Sequence, residues 1–311
     1  MSPTATTSDD CPVARGWPQL PVGFVLGTTA GVGVSGDGVV HVFHRAGREW
    51  GDSLPRDTIG RPTIWTFDAS TGRVTRRWGE GLFVMPHGLG VDREDNIWVT
   101  DVGRQQVMKF SATGNLLLTL GVRGVAGADS THFNLPTDVA VRSDGDVYVS
   151  DGYRNSRVIQ FDSRGRFVRQ WGRAGSAPGE FQLPHGIALD GSGRIYVADR
   201  ANGRLQVFDT TGAFITEWKG IEIGRPFAVS VAANGTVFLA DGGDPGVPMP
   251  RRAGVVHLTR DGKVIRRFSR FGNYDGQLFT PHDLAAGPGD AVYVVDADGW
   301  RVQKFVCRER P

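Results

Sequence analysis

Three of the chain's seven histidines follow a proline inside near-copies of one phrase: MPHGLGVD at 85–92, LPHGIALD at 183–190 and TPHDLAAG at 280–287. A lone Pro-His step carries no chemistry. Three in matching surroundings do, because imidazole is a ligand for zinc and its neighbours, and three imidazoles leave positions open for water or substrate. The other histidines, His41, His44, His132 and His257, share no such register and read as structural or solvated. Whether His87, His185 and His282 can meet depends on the elements that carry them.

Those elements repeat. A unit of turn, apolar strand and acid recurs as GDGVVHVFHR (36–45), DNIWVTDVGRQQVMKF (95–110), DGDVYVSDGYRNSRVIQF (144–161), SGRIYVADRANGRLQVF (192–208), NGTVFLADGG (234–243) and GDAVYVVDADGWRVQKF (289–305). The anchor acids Asp101, Asp151, Asp199, Asp241 and Asp296 lie 42 to 55 residues apart, and Arg45 takes the anchor place in the first copy. A full unit alternates apolar and polar residues over four short runs. In one unit these are Asp138–Val141, Val147–Ser150, Arg157–Phe161 and Phe167–Trp171, separated by short turns of Gly, Asp and Ser. That is a four-stranded antiparallel meander. Such a sheet has open faces and must stack on copies of itself, so six units predict an all-β, six-bladed β-propeller.

Trp78, Trp171, Trp218 and Phe268 end their units and are expected to pack between blades. Residues 1–20 read as a poorly ordered N-terminal extension and 21–311 as one propeller domain. A strand at 22–26 is expected to share a blade with 301–306 and close the ring. The string GVGVSG at 31–36 has dinucleotide-site spacing, but a strand follows it where a helix is required, so it reads as a turn.

Aligned on the proline before the innermost strand, the units give Pro86-His87, Pro136-Thr137, Pro184-His185, Pro226-Phe227 and Pro281-His282. Histidine thus falls in blades two, four and six. Alternate blades of a six-membered ring are related by threefold symmetry, so the three imidazoles converge on the channel as a metal site. The loops after the anchors add Tyr153 in blade three and Arg200 in blade four, with Arg45 in blade one. A tyrosine beside a metal suits base chemistry, and arginine grips a carboxylate.

Composition excludes several other roles. The formal net charge is +2 with both signs interspersed, which gives no nucleic-acid footprint. No apolar run is long enough to span a bilayer. The opening MSPTATTSDD has neither the basic nor the apolar region of a signal peptide. Cys11 and Cys307 lie near opposite ends, and two free thiols in a reducing cytoplasm are expected unless the termini meet.

Together, MPHGLGVDREDNIWVTDVGRQQVMKF, FNLPTDVAVRSDGDVYVSDGYRNSRVIQF, LPHGIALD, VADRANGRLQVF and TPHDLAAG resemble the peptidyl-α-hydroxyglycine α-amidating lyase family, from about Val32 to Phe305. The resemblance implies zinc on His87, His185 and His282, with Tyr153 as catalytic base and Arg45 and Arg200 as active-site arginines. It also implies a structural calcium held by Asp283 and the main-chain carbonyls of Val32 and Leu89. The implied reaction splits a small or peptidyl α-hydroxyglycine substrate into a primary amide and glyoxylate. Two disulfides of the family's animal members are absent here: their positions hold Asn134 with Arg154, and Tyr196 with Val207. Thr280 replaces the family's pocket methionine, which bears on substrate choice.

Two other readings compete. One is a different metal-dependent lyase or hydrolase on the same scaffold, such as a lactonase, although a lactonase would want a cage of carboxylates in the channel. The other is a non-enzymatic propeller of the NHL type that binds protein or RNA. A ring that closes on itself is expected to be a monomer.

Overall fold

A computed structural model describes residues 11–51, 53–243 and 252–307. Among these residues the fold is six antiparallel sheets, five of four strands and a sixth of three. The strands of the 136–171 unit form at Asp138–Val141, Val147–Asp151, Arg157–Phe161 and Phe167–Trp171. The innermost strands of the other blades are Thr29–Val34, Pro86–Val91, Pro184–Leu189, Pro226–Val231 and Pro281–Ala286. Each packs on the inner strands of its neighbours, closing a ring around a central channel.

Apolar layers between blades hold the ring together. Trp78 packs on Phe110 of the next blade, Trp171 on Phe208 and Phe268 on Phe305. Trp218 joins the cluster that contains Val256 and Leu258 of the fifth blade. The outermost strands alternate weakly and are largely exposed, as in Phe167–Trp171, because the blade's burial gradient runs toward the axis.

The seam departs from expectation in three ways. Residues 22–26 form no strand. Instead Val13 bridges Phe305, with Ala14 donating to the carbonyl of Lys304 and Val306 to that of Pro12, so the edge of the sixth sheet is covered by residues 12–14. Residues 11–20, read as part of a loose extension, are packed on the ring, with Trp17 buried against Phe67 and Tyr293. Residues 1–10 lie outside the described residues. Finally, Cys11 and Cys307 are not free thiols but a disulfide that closes 296 residues of chain. The termini meet because residues 12–14 run beside the last strand, Arg301–Val306. This disulfide points away from a reducing cytoplasm. No helix among the described residues is long and apolar enough to cross a membrane.

The first blade corrects the register of the repeat. Thr29 pairs with His44 as Pro86 pairs with Asp101 and Pro184 with Asp199. His44, not Arg45, therefore holds the anchor place. Arg45 is the next residue, equivalent to Arg200, so the two arginines stand in opposite blades at one height. The anchor acids tie each blade to the loop before it: Asp101 accepts from the main-chain N–H of Val84 and Met85, and Asp296 from those of Phe279 and Thr280.

Candidate active site

The inner strands carry a bulge where the register shifts, between Pro86 and Leu89, Pro184 and Ile187, and Pro281 and Asp283. A bulge re-aims successive side chains, which lets a residue and its successor both reach the channel. His282 and Asp283 use this in blade six, and in blade three, where no register shift occurs, Thr137 and Asp138 likewise line the same pocket. Where the successor is Gly88, a Cβ would stand 2.5 Å from a carboxylate oxygen of Asp138, so only glycine leaves room for the neighbouring acid.

His87, His185 and His282 converge as the spacing predicts. Their ring centroids lie 4.8 to 4.9 Å apart, and their ligand nitrogens lie within 4.8 Å of one another. Each Nδ1 faces a main-chain carbonyl of the next blade: His87 to Thr137 at 2.6 Å, His185 to Phe227 at 2.7 Å and His282 to Ala30 at 2.7 Å. Those three acceptors sit at the histidine register of the odd blades. A carbonyl can only accept, so Nδ1 carries the proton and each Nε2 presents a lone pair inward. Burial holds His87 and His185 well below the usual imidazole range and pushes His282 down to about 3. Three neutral imidazoles with oriented lone pairs and carbonyl-bonded second nitrogens fit a zinc-type site of three histidines.

Tyr153 reaches over this ring. Its hydroxyl lies 2.9 Å from Nε2 of His87 and 3.3 Å from Nε2 of His185. The preceding Gly152 crosses blade four so closely that a Cβ would stand 1.7 Å from the carbonyl oxygen of Pro184. Arg45 and Arg200 both interact electrostatically with Tyr153. Burial lowers the pKa of each, that of Arg200 to about 10. Arg45 is fixed by Nε donating to the carbonyl of Pro86, and Arg200 lies 3.6 Å above the ring of Phe227.

Deeper in the channel lie two carboxylates. Asp283 accepts from the N–H of Val32 at 2.9 Å and of Leu284 at 2.8 Å, and Asp138 from those of Val139 and Ile187. Burial pushes Asp138 up to about 7 and Asp283 well above the carboxylate range, with the charge of Asp138 adding to the latter. Val32, Leu89, Asp138 and Asp283 line one cavity. Two buried acids that repel each other fit an oxygen-seeking cation such as calcium. Sequence reading missed Asp138, although it follows Thr137 as Asp283 follows His282. Thr280 sits at the rim, where its hydroxyl donates to Asp298 at 2.6 Å. Trp50 was also missed: its ring lies 5.0 Å from that of Tyr153 and 6.4 Å from that of His87. It belongs to a long loop outside the repeat and gives no register signal.

The fold and channel define a six-bladed propeller with a buried three-histidine centre. The NHL repeat matches residues 83–110, 133–161 and 181–208. Similar solved structures share the fold: a gluconolactonase from Xanthomonas campestris (TM-score 0.64, 13% identity, 99% of this chain and 98% of that one) and a streptogramin B lyase (0.57, 15%, 92% and 96%).

Curated relatives are closer. Peptidyl-α-hydroxyglycine α-amidating lyase 2 of Drosophila melanogaster is 32% identical over 94% of this chain and 74% of its own length. Lyase 1 of the same organism is 34% identical over 94% and 59%. Peptidyl-glycine α-amidating monooxygenase B of Xenopus laevis is 37% identical over 93%, and the chain spans 35% of its length. The chain belongs to the peptidyl-α-hydroxyglycine α-amidating lyase family.

Proposed function

We propose that this protein cleaves the C–N bond of an N-acyl- or peptidyl-α-hydroxyglycine, releasing a primary amide and glyoxylate. The observation that carries the reading is the convergence of Tyr153 and three inward-facing Nε2 atoms in a channel flanked by the buried Arg45 and the half-buried Arg200. His87, His185 and His282 would hold zinc. When bound, zinc supplies Lewis-acid polarisation of the substrate hydroxyl. Tyr153, as general base, takes the hydroxyl proton. The O–H electron pair becomes the C=O bond of glyoxylate while the C–N pair leaves with the amide nitrogen. The proton on Tyr153 then completes the primary amide, so no redox partner is required. Arg45 and Arg200, on opposite sides of the channel, orient the substrate carboxylate and offset its charge.

Asp283 and Asp138 would hold a structural calcium in the cavity they share with Val32 and Leu89, whose main-chain carbonyls are the proposed further ligands. Ring closure within one chain supports a monomer. A gluconolactone-type hydrolase is disfavoured by the histidine ring, because such chemistry wants a carboxylate cage at the reacting carbon.

The test is direct. Metal-analysed protein is incubated with N-acetyl-α-hydroxyglycine and glyoxylate is measured, with His185→Ala and Tyr153→Phe beside it. Glyoxylate from the native protein, lost in both variants, is expected. No glyoxylate from protein carrying stoichiometric metal would overturn the reading.

A further inference from the structure

The loop between the second and third strands of blade one runs from Arg45 to Thr63, far longer than a hairpin needs. Its path is set by contacts with one short segment of blade two. Arg45 donates to the carbonyl of Pro86, Arg48 to that of Val84 at 2.9 Å, and Ile59 to that of Phe83. A second contact from Arg48 to the carboxylate of Asp57 ties the loop to itself. The segment so gripped leads straight into His87. The loop is therefore fastened to the strand that delivers a histidine to the centre.

This fastening places Trp50 over the site. One part of the indole meets Tyr153 and His87, and the guanidinium of Arg45 lies 5.3 Å from its centroid. Yet Trp50 stays 42% exposed. Its indole is not needed as core, since the apolar clusters of the blades do not include it. A large ring held over reacting groups with much of its surface in solvent, on a loop anchored at both flanks, is a contact surface for a ligand.

We propose that Trp50 is a specificity-determining residue: its ring packs against the acyl group, or the side chain that precedes the hydroxyglycine, and selects substrates with a flat or bulky apolar group there. The identity of the ligand rests on the lyase reading; the selection of an apolar group beside a carboxylate does not. Arg45 next to the ring sets the spacing between that carboxylate and the apolar group. No metal takes part in the contact.

Two measurements test this. In the first, the inert analogues N-benzoylglycine and N-acetylglycine are titrated calorimetrically into native protein, Trp50→Ala and Trp50→Phe. Trp50→Ala is expected to weaken the benzoyl compound about tenfold and to leave the acetyl compound unchanged, with Trp50→Phe restoring most of the loss. In the second, kcat and KM are measured for the corresponding α-hydroxyglycines. The expected change is a rise of about tenfold in KM for the benzoyl substrate only, at unchanged kcat. Equal weakening of both analogues, or an equal fall in kcat for both substrates, would show that Trp50 merely supports Tyr153 and would overturn the proposal. So would unchanged binding in Trp50→Ala. Because the titration needs no turnover, absence of glyoxylate would sink the lyase reading without touching this one.

Discussion

The channel holds two polar layers that burial affects in opposite directions. The upper layer is His87, His185 and His282, whose pKa values fall; the lower is Asp138 and Asp283, whose pKa values rise. Both shifts have the same first cause, the cost of charge away from water. The consequences differ. Neutral imidazoles with their Nδ1 protons bonded to Thr137, Phe227 and Ala30 are satisfied as they stand, and they present lone pairs that a soft or borderline cation can use. The carboxylates also accept main-chain N–H groups, but two of them in one cavity are comfortable only when protonated or when a hard cation compensates them. One fold position and its successor thus create two sites of different chemistry.

The largest effects are expected at the upper layer. Tyr153→Phe removes the only phenol that reaches Nε2 of His87 and His185 among the described residues, and glyoxylate production should fall by about 10²–10⁴-fold. Asp283→Asn should leave most of that activity when the protein is kept cold and folded, because its carboxylate lies in a different layer from Tyr153 and the histidine nitrogens. An equal loss in both variants would merge the two layers into one site.

A second test strikes both layers at once. His282 bonds to Ala30 and Asp283 to Val32, so each layer crosses the seam between blades six and one. The Cys11–Cys307 disulfide secures that seam. Cys307→Ser should cost about 2–4 kcal/mol of stability, read by denaturant unfolding, without changing the rate per folded molecule.

The pH dependence of the metal-free protein separates the layers by sign. The histidines are buried neutral, so their contribution is present above the unfolded value of 6.5 and is lost as pH falls through their lowered folded values, that of His282 being about 3. The carboxylates are buried protonated. Their unfolded forms ionise above 3.8, so stability falls as pH rises from there to about 7, where Asp138 ionises in the fold. The two windows oppose each other between 3.8 and 6.5, so thermal unfolding should show the histidine limb unopposed below 3.8 and the carboxylate limb unopposed above 6.5. Asp138→Asn should flatten the alkaline one and spare the acid one. Added calcium should raise the midpoint at pH 8 in the native protein and less in Asp138→Asn.

The smallest effect concerns the rim. Thr280 holds Asp298, which interacts with Arg45. Thr280→Val should change KM by less than about tenfold and leave metal content alone.

The sequence revealed much of this arrangement because a propeller is periodic. Strand boundaries in the 136–171 unit, and the register that unites His87, His185 and His282, follow from alternation and from the repeated Pro-His step. What was hidden is aperiodic. Arg45 looked like an anchor because the Asp-to-His change at His44 removed the acid that marks the register in the other blades. The seam went to 22–26 because Val and Phe there resemble a strand, while 12–14 is a single bridge with almost no pattern. The disulfide depends on that seam, so free thiols were the natural reading of two distant cysteines. Trp50 lies in an insertion, where no repeat can report its position.

The most direct test of the two-layer account is metal stoichiometry. Purified protein loaded with zinc and calcium, then dialysed, would be measured by elemental analysis beside His87→Ala, His185→Ala, His282→Ala, Asp138→Asn and Asp283→Asn. One zinc per native chain is expected, lost in each histidine variant and kept in both aspartate variants, with calcium showing the converse. Zinc that persists when any of the three histidines is removed, or that leaves with the aspartates, would contradict it.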